Sequence, residues 1–239
     1  MSEAGDGADL AGSRKFYGRR RGKTLRPRQY RLIAELLPRL AISGVGPSQN
    51  PERRLIDPAG IFAAPRPVWL EIGTGGGEHI AHQAAENPDA GLIGCEPFVN
   101  GVAMLLGRID REGLENIRIH PGDARDLIEV LQPASIARVF VLYPDPWPKN
   151  RHAGRRFINP DNLTALARVM VPGAELRLAT DIPAYVTHAL KAAGQVAAFR
   201  LETMPADQHE PWPDWCRTRY EAKAIREGRK PHYLSFVRA

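Results

Sequence analysis

From Val68 onward the chain alternates short apolar runs with segments of helical period, and this alternation restricts the fold more than any other feature. VWLEIG (68–73) reads as a strand ending in glycines, Glu78–Glu86 as a helix stopped by Asn87-Pro88, and GLIGCE (91–96) as a second strand. A helix from about Phe98 to Arg111 follows, then a third strand with its loop in IRIHPGDA (117–124). ARVFVLYPDPWP (137–148) is a fourth strand that runs into a proline-rich corner. A helix from about Asp161 to Met170, the strand ELRLATD (175–181), a helix over 183–193 and the cleanly alternating HYLSFVR (232–238) complete the series. Strands separated by helices predict an α/β fold with a doubly wound, mostly parallel sheet.

Upstream, Leu32, Ile33, Leu36, Leu37 and Leu40 follow helical spacing over Arg28–Leu40, and the Pro/Gly-rich stretch 43–67 reads as irregular. Residues 1–25 are expected to form a flexible basic arm, and 26–239 a single domain. A length of 239 residues with 43% hydrophobic content supports one sizeable core. No apolar run reaches the roughly 18 to 20 residues of a membrane span, and the acidic, small N-terminus lacks the order of a secretory signal. Cys95 and Cys216 stand far apart in no metal spacing, and His79 and His82 share a helix face without an evident third ligand, so no metal is expected. A cytoplasmic protein is the expectation. The sequence leaves monomer and homodimer open.

The net charge of +6 is unevenly placed. Arg14, Lys15, Arg19, Arg20, Arg21, Lys23, Arg26, Arg28 and Arg31 occur with no acidic residue among them, interleaved with Phe16, Tyr17 and Tyr30. That mixture suits phosphate neutralisation with base stacking; a solvated basic tail is the alternative.

In doubly wound sheets a ligand sits beyond the carboxyl ends of the strands. Those ends here carry Glu71, Glu96, Asp123, Asp145 and Asp181. Five carboxylates on one rim repel one another unless a ligand compensates. The loop Gly73-Thr74-Gly75-Gly76-Gly77 lets backbone approach that ligand closely. The dinucleotide fingerprint fails, because Glu78 stands where its third glycine belongs and would repel a pyrophosphate at a helix start. Acidic surroundings suit the cationic amine and sulfonium of S-adenosylmethionine (S-adenosyl-L-methionine) better than NAD. Glu96 is placed for ribose hydroxyls. Asp123 is placed either for an adenine amino group or as the N-cap of the helix through Leu131.

Tyr143-Pro144-Asp145-Pro146-Trp147-Pro148-Lys149-Asn150-Arg151-His152 is the most informative segment. Three prolines stiffen it, Trp147 offers a stacking face for a flipped base, and Lys149, Arg151, Arg155 and Arg156 suit a passing phosphate backbone. Thr218-x-x-Glu221 has the pattern of a capping box and is also a candidate substrate contact.

Glu71 to Gly77, Pro144 to His152 and Thr218-Arg219-Tyr220-Glu221 together resemble the signatures of the bacterial tRNA (guanine-N7-)-methyltransferase family, in order and spacing, over nearly the whole chain. The resemblance implies a Rossmann-like class I methyltransferase fold with a seven-stranded sheet whose C-terminal strand is antiparallel. It implies cofactor contacts at Glu71, Gly73, Gly75, Gly77, Glu96, Asp123 and Asp145, with Asp145 catalytic. It implies substrate contacts at Lys149, Asp181, Thr218, Arg219, Tyr220 and Glu221. RNA contacts are implied at Arg151, His152, Arg155 and Arg156. The implied partner is tRNA and the implied target the variable-loop guanosine, position 46 in tRNA numbering. Asn150 stands where many relatives carry a second basic residue, which would weaken one phosphate contact. A methyltransferase for another acceptor and a non-catalytic RNA-binding module are the competing readings; the basic runs argue against the first and the intact strand-end carboxylates against the second.

Overall fold

The computed structural model describes residues 16–204 and 206–239; Arg14 and Lys15 of the basic run, with the rest of residues 1–15, lie outside them. The elements run α1 (Pro27–Glu35), α2 (Leu37–Leu40), β1 (Val68–Ile72), α3 (Glu78–Glu86), β2 (Gly91–Cys95), α4 (Val99–Glu112) and β3 (Ile117–His120). They continue with α5 (Ala124–Val130), β4 (Ile136–Leu142), α6 (Pro160–Val169), β5 (Met170–Thr180), α7 (Pro183–Ala193), β6 (Phe199–Leu201), α8 (Arg219–Arg226) and β7 (His232–Arg238). One seven-stranded sheet has the order β3-β2-β1-β4-β5-β7-β6. The first five strands are parallel, and β7 runs antiparallel between β5 and β6.

The helix expected over Arg28–Leu40 is split after Leu36, because Pro38 supplies no backbone N–H and starts a new turn. Strand β5 begins at Met170, five residues before the expected Glu175. β6 has only three residues, too few to alternate visibly, and only pairing with β7 defines it. Of the arm expected over residues 1–25, residues 20–23 are tied to the start of α4. Val99 N–H donates to the Arg20 carbonyl at 3.0 Å, Gly22 N–H to Asn100 Oδ1 at 2.8 Å, and Asn100 Nδ2 to the Lys23 carbonyl at 2.7 Å.

The central strands are buried on both faces, which explains their continuous apolar runs; every residue of β2 is buried. One face packs Leu70, Val139, Val141 and Leu176 against Leu127 of α5, Leu166 of α6 and Tyr185 of α7. The other packs Leu92, Ile117 and Ile119 against Ile80 of α3 and Val102, Leu105, Leu106 and Ile109 of α4. Those four positions on α4 are spaced i, i+3, i+4 and i+7, the stripe a half-buried helix requires. Over β4, β5 and β7 that second face is covered by His79 of α3, which meets Phe140 edge-on at 4.7 Å, and mainly by a loop. Trp212 and Trp215 of that loop, which precedes α8, cover Phe140, Leu142, Ala179 and Tyr233. Successive strands are added on one side of β1 up to β3 and on its other side from β4, so the strand order reverses between β1 and β4 and a crevice opens at their carboxyl ends.

Candidate functional site

A cleft of about 400 Å³ lies at that switch point, within the range of small-ligand sites. Its wall includes Gly73, Gly75, Glu96, Asp123, Asp145, Trp147, Arg155 and Tyr220, which the sequence scatters over some 150 positions. At Gly73 the backbone has φ +77°, and a Cβ there would meet no atom within 4 Å, so glycine leaves the cleft floor open. At Gly77 (φ +76°) a Cβ would come within 2.6 Å of Leu105 Cδ1 and 3.1 Å of its Cα, so this glycine lets the loop seat on α4.

Glu96, 7% exposed, accepts from Gly75 N–H at 2.6 Å and Phe98 N–H at 2.9 Å. Burial lifts its carboxyl above the usual range. Those backbone donors and Arg219 pull it down, and the nearby Asp145 carboxylate pushes it up again. Glu71 is also buried, but its carboxylate is bonded to His79 Nδ1 at 2.6 Å, and it forms no part of the cleft wall. It ties the end of β1 to α3. Asp123 caps α5 through Arg125 N–H at 3.0 Å and holds the Arg125 guanidinium with both oxygens. The capping alternative is therefore realised, with the residue still on the cleft wall.

Asp145 is exposed on the rim and makes no hydrogen bond or ion pair among the described residues. Its neighbours Tyr143 (φ +50°) and Trp147 (φ +41°) are both left-handed, a backbone state that costs about 1–3 kcal/mol in a non-glycine residue. Arg156 holds the corner in place: it is 7% exposed and donates to the carbonyls of Pro146 (2.9 Å) and Trp147 (3.2 Å). Its Nε and Nη2 are thus engaged inside the loop, at a position where the resemblance implied an RNA contact. Arg155 is the cation on the open side, its guanidinium 4.3 Å from the Tyr17 ring centre and 5.1 Å from that of Trp147. His152 meets Trp147 edge-on at 6.0 Å, and Lys149 and Arg151 are exposed beside them.

Asp181 at the end of β5 is largely buried and paired to Arg229 Nε at 2.5 Å. The sequence offered no signal for Arg229, which stands 48 residues away and reaches Asp181 through the cap of α8. Thr218 caps α8 by accepting from Glu221 N–H at 3.2 Å. Tyr220 is half exposed, and its ring edge lies 3.1 Å from where a Gly75 Cβ would be, over the glycine loop. Arg219 lies over Gly76 and near Glu78. Glu221 differs from its neighbours: 2% exposed, it accepts from Tyr233 Oη at 2.7 Å and Trp215 Nε1 at 2.7 Å. Burial, together with Glu221, pushes Tyr233 up, so the hydroxyl stays a donor. Glu221, where the resemblance implied a substrate contact, is thus held as an internal acceptor in this structure.

Phe16, Gly18 and Arg19 also line the cleft, which no motif in the sequence indicated, and Tyr143 beside them is half-buried with its hydroxyl near Tyr233. Among the described residues no group of three His, Cys, Asp or Glu is placed to hold a metal, and no helix is long and apolar enough to cross a membrane.

A family model described as "Putative methyltransferase" matches residues 65–234. A protein of Roseobacter denitrificans named tRNA (guanine-N(7)-)-methyltransferase is 56% identical over 225 residues, covering 94% of this chain and 96% of its own. One of Paracoccus denitrificans with the same name is 56% identical, covering 94% of this chain and 95% of its own. Among solved structures, the 16S rRNA methyltransferase KamB superposes with a TM-score of 0.52 at 18% identity, covering 72% of this chain and 88% of its own, a likeness of fold alone. With the glycine-loop cleft and the proline corner in place, these matches show that the chain belongs to the tRNA (guanine-N(7)-)-methyltransferase family.

Proposed function

We propose that this methyltransferase uses S-adenosylmethionine to methylate guanine N7 in tRNA, at the variable-loop guanosine (position 46). The observation that carries the reading is Asp145, an unpaired carboxylate on a braced corner, facing the open glycine cleft beside Trp147 and Arg155.

The cleft fits the cofactor. Its floor is open at Gly73, and the carboxylates of Glu96 and Asp145 give it negative charge. Glu96 would hold the ribose hydroxyls, Asp123 the adenine edge, and the backbone of Gly73 to Gly75 the amino-acid end. When bound, S-adenosylmethionine supplies an electrophilic sulfonium methyl group. Guanine N7 presents an unprotonated lone pair on its major-groove edge. No proton is removed at N7, so Asp145 acts as an orienter and as the negative charge that stabilises the developing cation on the base. Trp147 and Tyr17 give flat faces for the base, and Lys149, Arg151 and Arg155 give phosphate partners. Asp181, held by Arg229 at the end of β5, would accept from guanine N–H groups.

A pH dependence follows from Glu96. Its carboxyl is raised in the free protein, and ribose hydroxyls bond best to the charged form. Affinity for S-adenosylmethionine therefore falls as pH drops through that raised value, in a window above the usual carboxylate range, and is flat above it. Calorimetric titration between about pH 5 and 7.5 reads this directly. A Glu96→Gln variant should bind weakly and without the slope; a variant with the same slope would assign it to another group.

The function is tested by incubating the protein with labelled S-adenosylmethionine and unmodified tRNA carrying either guanine or 7-deazaguanine at the target position. Label should enter the first and not the second. Equal labelling of both RNAs would exclude N7 as the acceptor.

A further inference from the structure

A second groove, of about 470 Å³, lies between α1 and α4 and is separate from the methyl-transfer cleft. Its floor is apolar, formed by Leu32, Ala103, Met104 and Gly107, and its rim carries Arg26, Arg28, Arg108 and Arg111. On α4 the lining positions 103, 104, 107, 108 and 111 form one face of about 12 Å, which spans three to four phosphates at ~3.4 Å axial spacing.

Gly107 sits inside a 14-residue helix, where glycine costs roughly 0.5–1 kcal/mol relative to alanine. Packing does not require it. A Cβ there would meet only Leu32 Cδ1, at 4.0 Å, an ordinary contact. A large side chain at this position would extend into the groove, whereas a methyl group would not fill it.

Three of the rim cations are available to a ligand, Arg108 being held by the Gly76 carbonyl and Glu78. Arg26 is exposed with no side-chain partner among the described residues. Arg28 pairs with Asp110 at 2.8 Å and Arg111 with Glu112 at 2.6 Å, but each arginine side chain is 56% exposed. Exposed pairs of this kind contribute about 0–1 kcal/mol and yield readily to a phosphate. The groove also continues the track of the methyl-transfer site. Arg108 donates to the Gly76 carbonyl at 2.9 Å, and Arg219 to the Met104 sulfur at 3.2 Å. The basic segment from Arg19 to Lys23, bonded to the first turn of α4, leads from the cleft to Arg26.

We propose that the α1–α4 groove is a second binding site for the tRNA backbone. It takes a nucleotide unit outside the target base, with ribose or base on the Leu32–Met104 floor and phosphates on Arg26, Arg28 and Arg111. This rests on the tRNA reading of the methyl-transfer site.

The test measures tRNA binding by fluorescence anisotropy against salt for the full chain, an Arg26→Ala/Arg111→Ala variant, Gly107→Leu and Gly107→Ala. The double arginine variant should raise the tRNA Kd about 10-fold at 0.1 M salt and flatten the log–log salt slope by roughly 1.4 to 1.8, since each phosphate contact contributes about 0.7–0.9. Gly107→Leu fills the groove and should raise Kd about 5-fold, whereas Gly107→Ala leaves it near the wild-type value. S-adenosylmethionine affinity should stay the same in all four. If the wild type binds tRNA and both groove-altering variants bind equally well with the same slope, the groove is not an RNA site. If the wild type itself fails to bind tRNA, the functional reading falls and this inference with it.

Discussion

Replacing Asp145 by alanine is expected to lower the single-turnover rate of methyl transfer about 10²–10³-fold, the scale seen when one preorganised electrostatic group is removed. The residue stands exposed on the rim, its backbone fixed by left-handed neighbours and by Arg156 on the carbonyls of Pro146 and Trp147. That brace means the carboxylate need not reorganise as charge develops on the base. Asp145→Asn keeps the shape and loses the charge, so it should fall with alanine if electrostatics dominates. An asparagine variant near the wild-type rate would show that orientation alone is its role. Rate against pH separates this from base catalysis, since no proton is taken from N7.

The second large effect is on folding. Glu221→Ala leaves the Tyr233 hydroxyl and the Trp215 indole N–H without their acceptor in a buried site. Stranding two donors costs about 2–4 kcal/mol, offset little by removing the carboxylate, because its oxygens were satisfied. For a chain of this size that lowers Tm by roughly 4–16 °C. Activity should also fall, because α8 carries Tyr220 over the glycine loop and Arg229 onto Asp181. The pair Glu221→Leu with Tyr233→Phe should recover part of the stability. If Glu221→Ala melted like the wild type and only KM for tRNA rose, Glu221 would be a direct substrate contact.

These two residues show what was legible in the sequence. Asp145 was, because it ends a strand between two prolines, a local pattern that sets exposure and rigidity together. Gly73 and Gly77 were legible for the same reason, and so were β7 and the helices at 78–86 and 183–193, whose periodicity is complete within the segment. The inward turn of Glu221 and Arg156 was not legible, because burial is a tertiary property. Each sits in a polar or basic run that reads as surface, yet the fold turns its side chain inward onto partners such as Tyr233 or the Pro146 carbonyl. Arg229 as the partner of Asp181, and the three-residue β6, depend on pairings that local spacing does not encode. Asp123 lay between: both its roles were visible, and the structure shows the cap.

The most direct measurement of the central claim locates the transferred methyl group. After reaction with S-adenosylmethionine and an unmodified tRNA transcript, borohydride reduction and aniline treatment cleave the chain at N7-methylguanosine. The account predicts one new cleavage, at the variable-loop guanosine, dependent on both protein and cofactor and greatly reduced with Asp145→Ala. A methylated tRNA that resists cleavage, or one cut elsewhere, would contradict it.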